Sequence, residues 1–490
     1  MGIISNPHGR NHVDDPCTEF DGSIDIELRG NTSLSFDQKQ YLLETLDEEG
    51  DEDNVSLLGL PKEHDWILFA PYVDKSLMRD VLAYHTARSM GWYASRCRYC
   101  ELVLDGEYQG VYVLLEQIKR DDDRVDIARL EKETTDGDPL TGGYIVAIDH
   151  NGKANDLGFP GAEDSLGYFV YWHIYPKSKN ININQRWYMQ DLIKEFEAVM
   201  RSEDFADPEQ GYPHYLNVDS FVDYLIVNEW TNNVDGFVAS QYLHKNRDSI
   251  DGKLVAGPIW DFNLSFGNAD YNDAERTSGW RSHYGRIPFW WRRLLEDSVF
   301  VDRVEQRWVE LRGGVLSDQA VSMVIDSLVV LLNNPQQRHF EKWELLGIKI
   351  WPNFFVGQTW HEEVSYLREW IQDRSAWMDD NIASIAWSGT SGGTGTGVGE
   401  VLPDRVRLDL YPMPVRDEVN VSFGPSVNRQ GAVLLHDMLG REVFRQEVAA
   451  GTRGEQSITL SLGHLPRGKY FLTLTEGVTV IARSTVVLEE

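Results

Sequence analysis

The chain has 490 residues, 42% hydrophobic and 25% charged, so it can bury a sizeable core in one large or several smaller domains. Asp and Glu number 78 against 46 Lys and Arg, a net charge of −32. That balance excludes a large nucleic-acid footprint and docking on an anionic membrane surface, both of which need a basic face.

The N-terminus, MGIISNPHGRNHVDDP, is polar and lacks the apolar core of a signal peptide. Strand-like alternation follows at 23–29 (SIDIELR) and near 40–45, and the acidic run 47–54 (DEEGDEDN) reads as a solvated loop without calcium-loop spacing. DWILFA (65–70) precedes a 3.6-residue period over 75–90, which predicts a helix. Cys97 and Cys100 form a lone CxxC with neither a second pair nor a His cluster. The expectation is a buried thiol pair, or one disulfide in an exported protein.

Strands are predicted at 100–104 and 111–116, with Asp105-Gly106-Glu107 as the hairpin signal between them, and again at 143–149. A helix at 219–229 leads to a strand-like run at 238–244. The region 289–386 has helical spacing, interrupted at Gly313-Gly314 and Pro352. Residues 388–399, SGTSGGTGTGVG, have the composition of a flexible linker. Beyond it, seven short alternating segments separated by turn residues predict a small β-sandwich. No run of eighteen apolar residues offers a membrane-crossing helix.

Three segments carry candidate chemistry. Arg29-Gly30-Asn31-Thr32-Ser33, with Lys39 after it, can turn tightly and present backbone N–H groups to phosphate, or be an ordinary turn. Asn232-Asn233-Val234-Asp235-Gly236 suits a general base beside a metal, or a plain Asx turn. In Trp260-Asp261-Phe262-Asn263, a carboxylate lies among aromatic residues. Burying it is costly unless a cation compensates, and a divalent ion on ATP phosphates would do so; Arg276 or Arg281 is the competing partner. Asp235 and Asp261 are close enough in sequence for one strand pair to bring them together, the order in which protein kinases place a catalytic and a metal-binding Asp. The HRD, DFG and VAIK strings of ordinary kinases are absent.

RGNTS, DWILFAPYVDKSLMRDVLAYHTARSMG, ELVLDGEYQGVYVLLEQI, GGYIVAID, DSFVDYLIVNEWTNNVDGF and GPIWDFNLSFGN occur in that order, and together they resemble the CotH family of atypical kinases. The resemblance implies an α+β fold with a two-lobed kinase-like domain, use of ATP with Mg²⁺ or Mn²⁺, and phosphate transfer to Ser or Thr of a protein substrate. Asp235 then resembles the catalytic residue and Asp261 the metal ligand. Asn263 would add a carbonyl oxygen to the metal where relatives often carry Asp. Arg29, Lys39 and Glu116 resemble nucleotide-side residues, with Glu116 a lysine-pairing acid or a solvent-facing strand end. Asn232, Ser240 and Gln241 are candidates for a second metal or for support, and Ser240 and Gln241 stand where relatives often offer Asn.

The tail, with Tyr411-Pro412-Met413-Pro414, LLHDMLGREV and LPRGKYFLTL, resembles the C-terminal sorting domain of the type IX secretion system. That implies a secreted or surface-attached protein, contact with secretion machinery, and an N-terminal signal upstream of the residues given. The expected division is a kinase-like domain over 1–387, a linker over 388–401 and an Ig-like β-sandwich over 402–490. A non-catalytic module of the same fold is the second reading. A polysaccharide-binding surface protein is the third, resting on 16 Trp and 21 Tyr and requiring an exposed aromatic row.

Overall fold

The computed structural model describes residues 1–149, 157–163 and 167–387, and in the tail 407–411, 415–424, 431–436, 441–448, 456–476 and 479–488. The chain divides into two compact units, Met1–Thr390 and Ser391–Glu490, so the division falls inside the Gly/Ser/Thr run. The expected linker 388–401 and the Pro412–Pro414 turn lie outside the described residues.

Unit one begins with a two-residue ribbon, β1 (Gly2–Ile3) against β2 (Phe20–Asp21). Its first large sheet contains β3 (Ser23–Arg29), β4 (Gln40–Leu46), β5 (Asp65–Phe69), β6 (Cys97–Leu104) and β7 (Glu107–Glu116). They are ordered β3-β4-β5-β7-β6, and every neighbouring pair is antiparallel. The β6–β7 hairpin turns on Asp105 and Gly106, with φ of 52° and 79°. Two successive positive φ values are what the Asp-Gly dipeptide predicts for a two-residue hairpin loop. Helix α1 (Arg79–Ser89) connects β5 to β6. It begins four residues later than the sequence period suggests, because the Asp74 carboxylate accepts from the N–H of Ser76 and of Arg79 and closes a turn ahead of the helix.

The second sheet is built from β8 (Tyr144–Ile148), β9 (Gly158–Pro160), β10 (Val170–Tyr175), β11 (Gln241–Lys245) and β12 (Leu254–Ala256), in the order β12-β11-β8-β10-β9. The predicted strand at 238–244 begins only at Gln241, because Asp235–Ser240 form the turn that carries Asp235. Helix α2 (Ile183–Arg201) was not foreseen, although its signals are in the sequence. Met189, Ile193, Phe196 and Met200 line its buried face, and Asn182 with Gln185 forms a capping box. A single-turn helix α3 (Tyr212–Tyr215) follows, then α4 (Val218–Thr231), capped by Asn217 and almost wholly buried. The remainder is helical, as its spacing predicts: α5 (Phe289–Leu294), α6 (Ser298–Arg312), α7 (Asp318–Leu332), α8 (Pro335–Lys342) and α9 (Trp360–Asn381). Gly313 ends α6, and Pro352 lies in the non-helical stretch before α9.

Much of the aromatic supply goes inward, although Tyr168, Trp187, Trp351 and Phe354 are exposed. Trp66, Trp230, Trp290, Trp291, Trp308 and Trp360 are fully buried, so these six serve the core. Cys97 and Cys100 are free thiols, which corrects the disulfide expectation. They sit three residues apart on β6, and an odd separation along a strand directs two side chains to opposite faces.

Among the described residues of unit two, seven strands fall at the seven predicted segments: β13 (Arg407–Tyr411), β14 (Glu418–Gly424), β15 (Gly431–His436), β16 (Glu442–Val448), β17 (Gln456–Ser461), β18 (Gly468–Glu476) and β19 (Thr479–Leu488). They form a three-stranded sheet, β13-β14-β17, and a four-stranded one, β16-β15-β18-β19. Val419, Val421 and Leu460 from the first share a core with Val433, Leu435, Leu472 and Leu474 from the second.

Candidate functional site

The frame of the site is α4, the β11–β12 hairpin and the turns at either end of it. Helix α4 stops at Asn232, which takes a left-handed φ of 46°. The Asn232 amide donates to the carbonyls of Asp273, Ala274 and Arg276, and its oxygen accepts from Arg281 Nε at 2.9 Å. Asn232 therefore supports the loop and carries the chain toward Asp235. The next residue, Asn233, is 1% exposed and touches both aspartate segments. Its Oδ1 accepts from Asp235 N at 3.2 Å, and its Nδ2 donates to the Asp261 carbonyl at 3.4 Å. A Cβ on Gly236 would lie 1.9 Å from Asn228 Oδ1, so only glycine fits after Asp235.

Strands β11 and β12 pair antiparallel from Leu243↔Ala256 to Lys245↔Leu254. That pair returns the chain to the Asp235 turn, and Asp261 follows with φ of +65°. The sequence spacing of the two aspartates is thus spanned by one hairpin, as expected. A third acid, Asp149, directly follows β8, the strand that pairs with β11. It was visible as the last letter of GGYIVAID, but nothing in the sequence placed it here.

Desolvation pushes Asp261 up to about 7, with Asp235 and Asp149 adding like-charge repulsion and Arg29 opposing it. Desolvation, then Asp149, pushes Asp235 up to about 6, opposed by Arg281. Among the described residues neither carboxylate forms an ion pair, so Arg276 and Arg281 do not neutralise Asp261 in the way the competing reading required. Arg276 pairs with Asp273, and Arg281 holds Asn232 and the Asn272 carbonyl.

The other predicted residues divide clearly. Arg29, at the end of β3, stacks its guanidinium 5.6 Å from the Trp260 ring and faces Asp261 and Tyr242 electrostatically. Lys39 folds back onto its own turn, where Nζ donates to the carbonyls of Leu34 (2.8 Å) and Phe36 (2.6 Å). Glu116 is fully buried, neither the solvent-facing strand end nor a lysine's partner: Arg96 Nη2 lies 2.8 Å from Oε1, and the Arg96 N–H donates to Oε2. Gln241 is buried, and its Oε1 accepts from Trp291 Nε1, so it braces the core. Ser240 is half-buried at a positive φ of 51°, and Asn263 is half-buried two residues beyond Asp261.

The donor set suits a divalent cation held jointly by protein and ligand. Asp261 offers a carboxylate and Asn263 a carbonyl oxygen. Among the described residues the converging triads of acids and histidine lie elsewhere, at Glu44–Glu52–His64 and Glu63–His64–Asp65, and Lys119 neutralises the second from 3.0 and 2.6 Å. A site with few protein ligands fits an ion that keeps waters and phosphate oxygens, the habit of Mg²⁺.

Raised carboxyl pKa values have a signed consequence for stability. Between the ordinary value near 3.8 and about 7, the native state holds a proton on Asp261 that the unfolded chain releases. Stability therefore falls as pH rises through that window. We predict that Asp261→Asn, which removes the titrating carboxyl, gains stability over the parent progressively from pH 4 to pH 7 in metal-free buffer. Urea titrations at several pH values check it, and a pH-independent difference between the two proteins contradicts it.

Together these features describe an α+β protein with two desolvated aspartates at either end of one hairpin. The chain belongs to the CotH kinase protein family, which it matches over residues 26–378, well over half its length. Residues 409–488 match the secretion system C-terminal sorting domain, which assigns the protein to the secreted or surface-attached class. A curated relative is the inner spore coat protein H of Bacillus subtilis (strain 168), 23% identical over 248 residues. That alignment covers 50% of this chain and 59% of the relative's length. No helix among the described residues is long and apolar enough to cross a membrane.

Proposed function

We propose that the protein is an exported atypical kinase that transfers the γ-phosphate of ATP to Ser or Thr of surface or secreted proteins, with the two sheets of unit one forming the two lobes of a kinase-like fold and unit two an Ig-like sandwich. The observation that carries this reading is the pairing of Asp235 and Asp261 across the β11–β12 hairpin, each raised by burial and by like charge. Mg²⁺ or Mn²⁺ bound with ATP would neutralise the phosphates and this acidic cluster. Asp261 and Asn263 would hold the ion, and Arg29 would face the phosphates from the edge of the first sheet. Asp235 would accept the proton of the incoming hydroxyl as its oxygen bonds to the γ-phosphorus and the bond to the β-phosphate oxygen breaks, releasing ADP. A carboxyl with a pKa of about 6 is a stronger base than an ordinary aspartate, which suits that role.

The positions of Arg29 and Lys39 give the reading a sharp test. Arg29→Ala should weaken Mg·ATP binding about 10-fold or more, the effect of losing a charge-assisted contact of about 1.5–3 kcal/mol. Lys39→Ala should leave binding within about twofold of the parent, because its ammonium is already engaged by two carbonyls. Calorimetric titration measures both, and the reverse order would refute the assignment. A second reading, a non-catalytic module for surface assembly, is favoured by Asn263, which brings no charge to the ion, and by the engaged Lys39. It predicts nucleotide-independent behaviour in the same titration.

A further inference from the structure

We propose that helix α1 is the positioning element of the metal-binding aspartate, with Tyr84 and Asp80 fixing the backbone of Asp261 and Phe262 in the left-handed turn that sets the Asp261 carboxylate beside Asp235. This rests on the kinase reading above and adds residues to it that carry no contact with a reacting atom. A non-glycine residue at φ +65° is unfavourable backbone, and it persists where surrounding groups over-determine it. Here α1 supplies those groups. Asp261 N donates to the Tyr84 hydroxyl at 3.2 Å, and Phe262 N donates to Asp80 Oδ1 at 2.8 Å. The Tyr84 hydroxyl in turn donates to the same Oδ1 at 3.2 Å. One residue earlier on the helix, Arg79 Nε donates to the Ser265 carbonyl at 3.1 Å. The Tyr84 ring stacks on Trp260 at 5.9 Å and meets Phe262 edge-on at 6.4 Å. Three residues within six positions of α1 thus take backbone groups across 261–265.

Asp80 is an expensive choice for a merely structural acceptor. It is 3% exposed, its Oδ2 has no hydrogen-bond partner among the described residues, and Asp261 opposes it as a like charge. Such local cost is typical of groups retained for a site's geometry.

The test is Mn²⁺ binding to the full chain with a non-hydrolysable ATP analogue, read by electron paramagnetic resonance beside thermal melts. Tyr84→Phe keeps the ring packing and removes only the hydroxyl. It should melt with the parent yet bind Mn²⁺ about 10-fold more weakly, the usual scale for a supporting partner of a metal ligand. Asp80→Ala should weaken binding about 10- to 100-fold, and Asp80→Asn, which keeps the acceptor, should restore most of it. Parent-like Mn²⁺ affinity in both Tyr84→Phe and Asp80→Ala would overturn the positioning role while leaving the kinase reading intact. If Asp80→Ala does not fold, Tyr84→Phe decides alone. No Mn²⁺ binding by the parent would overturn both at once.

Discussion

Replacing Asp235 with Ala should lower the phosphoryl-transfer rate by about 10²- to 10⁴-fold, the range for removing a positioned general base. Near neighbours in the chain orient Asp235 locally: Asn233 caps its N–H, and its carbonyl accepts from Val238 and Ala239. The turn is therefore held by backbone and by Asn233, and the variant should fold. Nucleotide affinity should change far less than the rate, because the proposed role of Asp235 is on the incoming hydroxyl and not on the nucleotide. Asp261→Ala should lower the rate on a similar scale and also weaken Mn²⁺ binding. The double variant should be little slower than either single one, since residues that act as a unit are not additive. Steady-state kinetics at saturating Mg·ATP separate these cases. A rate within about threefold of the parent for Asp235→Ala would remove it from the mechanism.

Arg374→Ala should destabilise unit one by about 3–5 kcal/mol, the scale for breaking a buried ion pair from one side. Arg374 on α9 and Glu229 on α4 are both fully buried, with Nη2 and Oε2 3.3 Å apart. The guanidinium also donates to the carbonyls of Glu229, Thr277 and Gly279. Glu229 in turn accepts from the N–H of Arg281 and of Ser282, each at 2.6 Å. Arg281 then holds Asn232, the residue that turns the chain toward Asp235. Truncating Arg374 leaves a buried carboxylate and several carbonyls without their donor, and it loosens the support of the Asp235 turn. Urea unfolding of the parent and variant measures the effect, and a loss below about 1 kcal/mol would show that the pair is not structural.

The sequence carried the frame of this protein more fully than its polar wiring. Asp105-Gly106 names its hairpin because two positive φ values in succession suit few other dipeptides. The seven tail segments were legible because alternation has a period of two whichever sheet receives the strand. Asp261 stood out because a carboxylate between Trp260 and Phe262 demands a compensating partner, and Asp235 stood out only through its Asn-rich loop one strand pair upstream. What failed to show was where long side chains end. Lys39 reads as a phosphate ligand until its own turn offers two carbonyls. Glu116 reads as a pocket acid until β6 and β7 bring it to Arg96. Asp149 is one letter at a strand end, and only the pairing of β8 with β11 gives it a place in the site. The CxxC is compatible with a thiol pair or a disulfide as a string, and the alternation of β6, which begins at Cys97, turns the two side chains to opposite faces.

The most direct test of the central claim is to incubate the full chain with γ-labelled ATP and Mg²⁺ or Mn²⁺, beside Asp235→Ala and Asp261→Ala, and to look for label on Ser or Thr of the protein itself and of added surface proteins. The kinase account predicts label with the parent and its loss in both variants. No label from the parent, together with no nucleotide binding by calorimetry, would contradict the account and leave the non-catalytic module as the function of this fold.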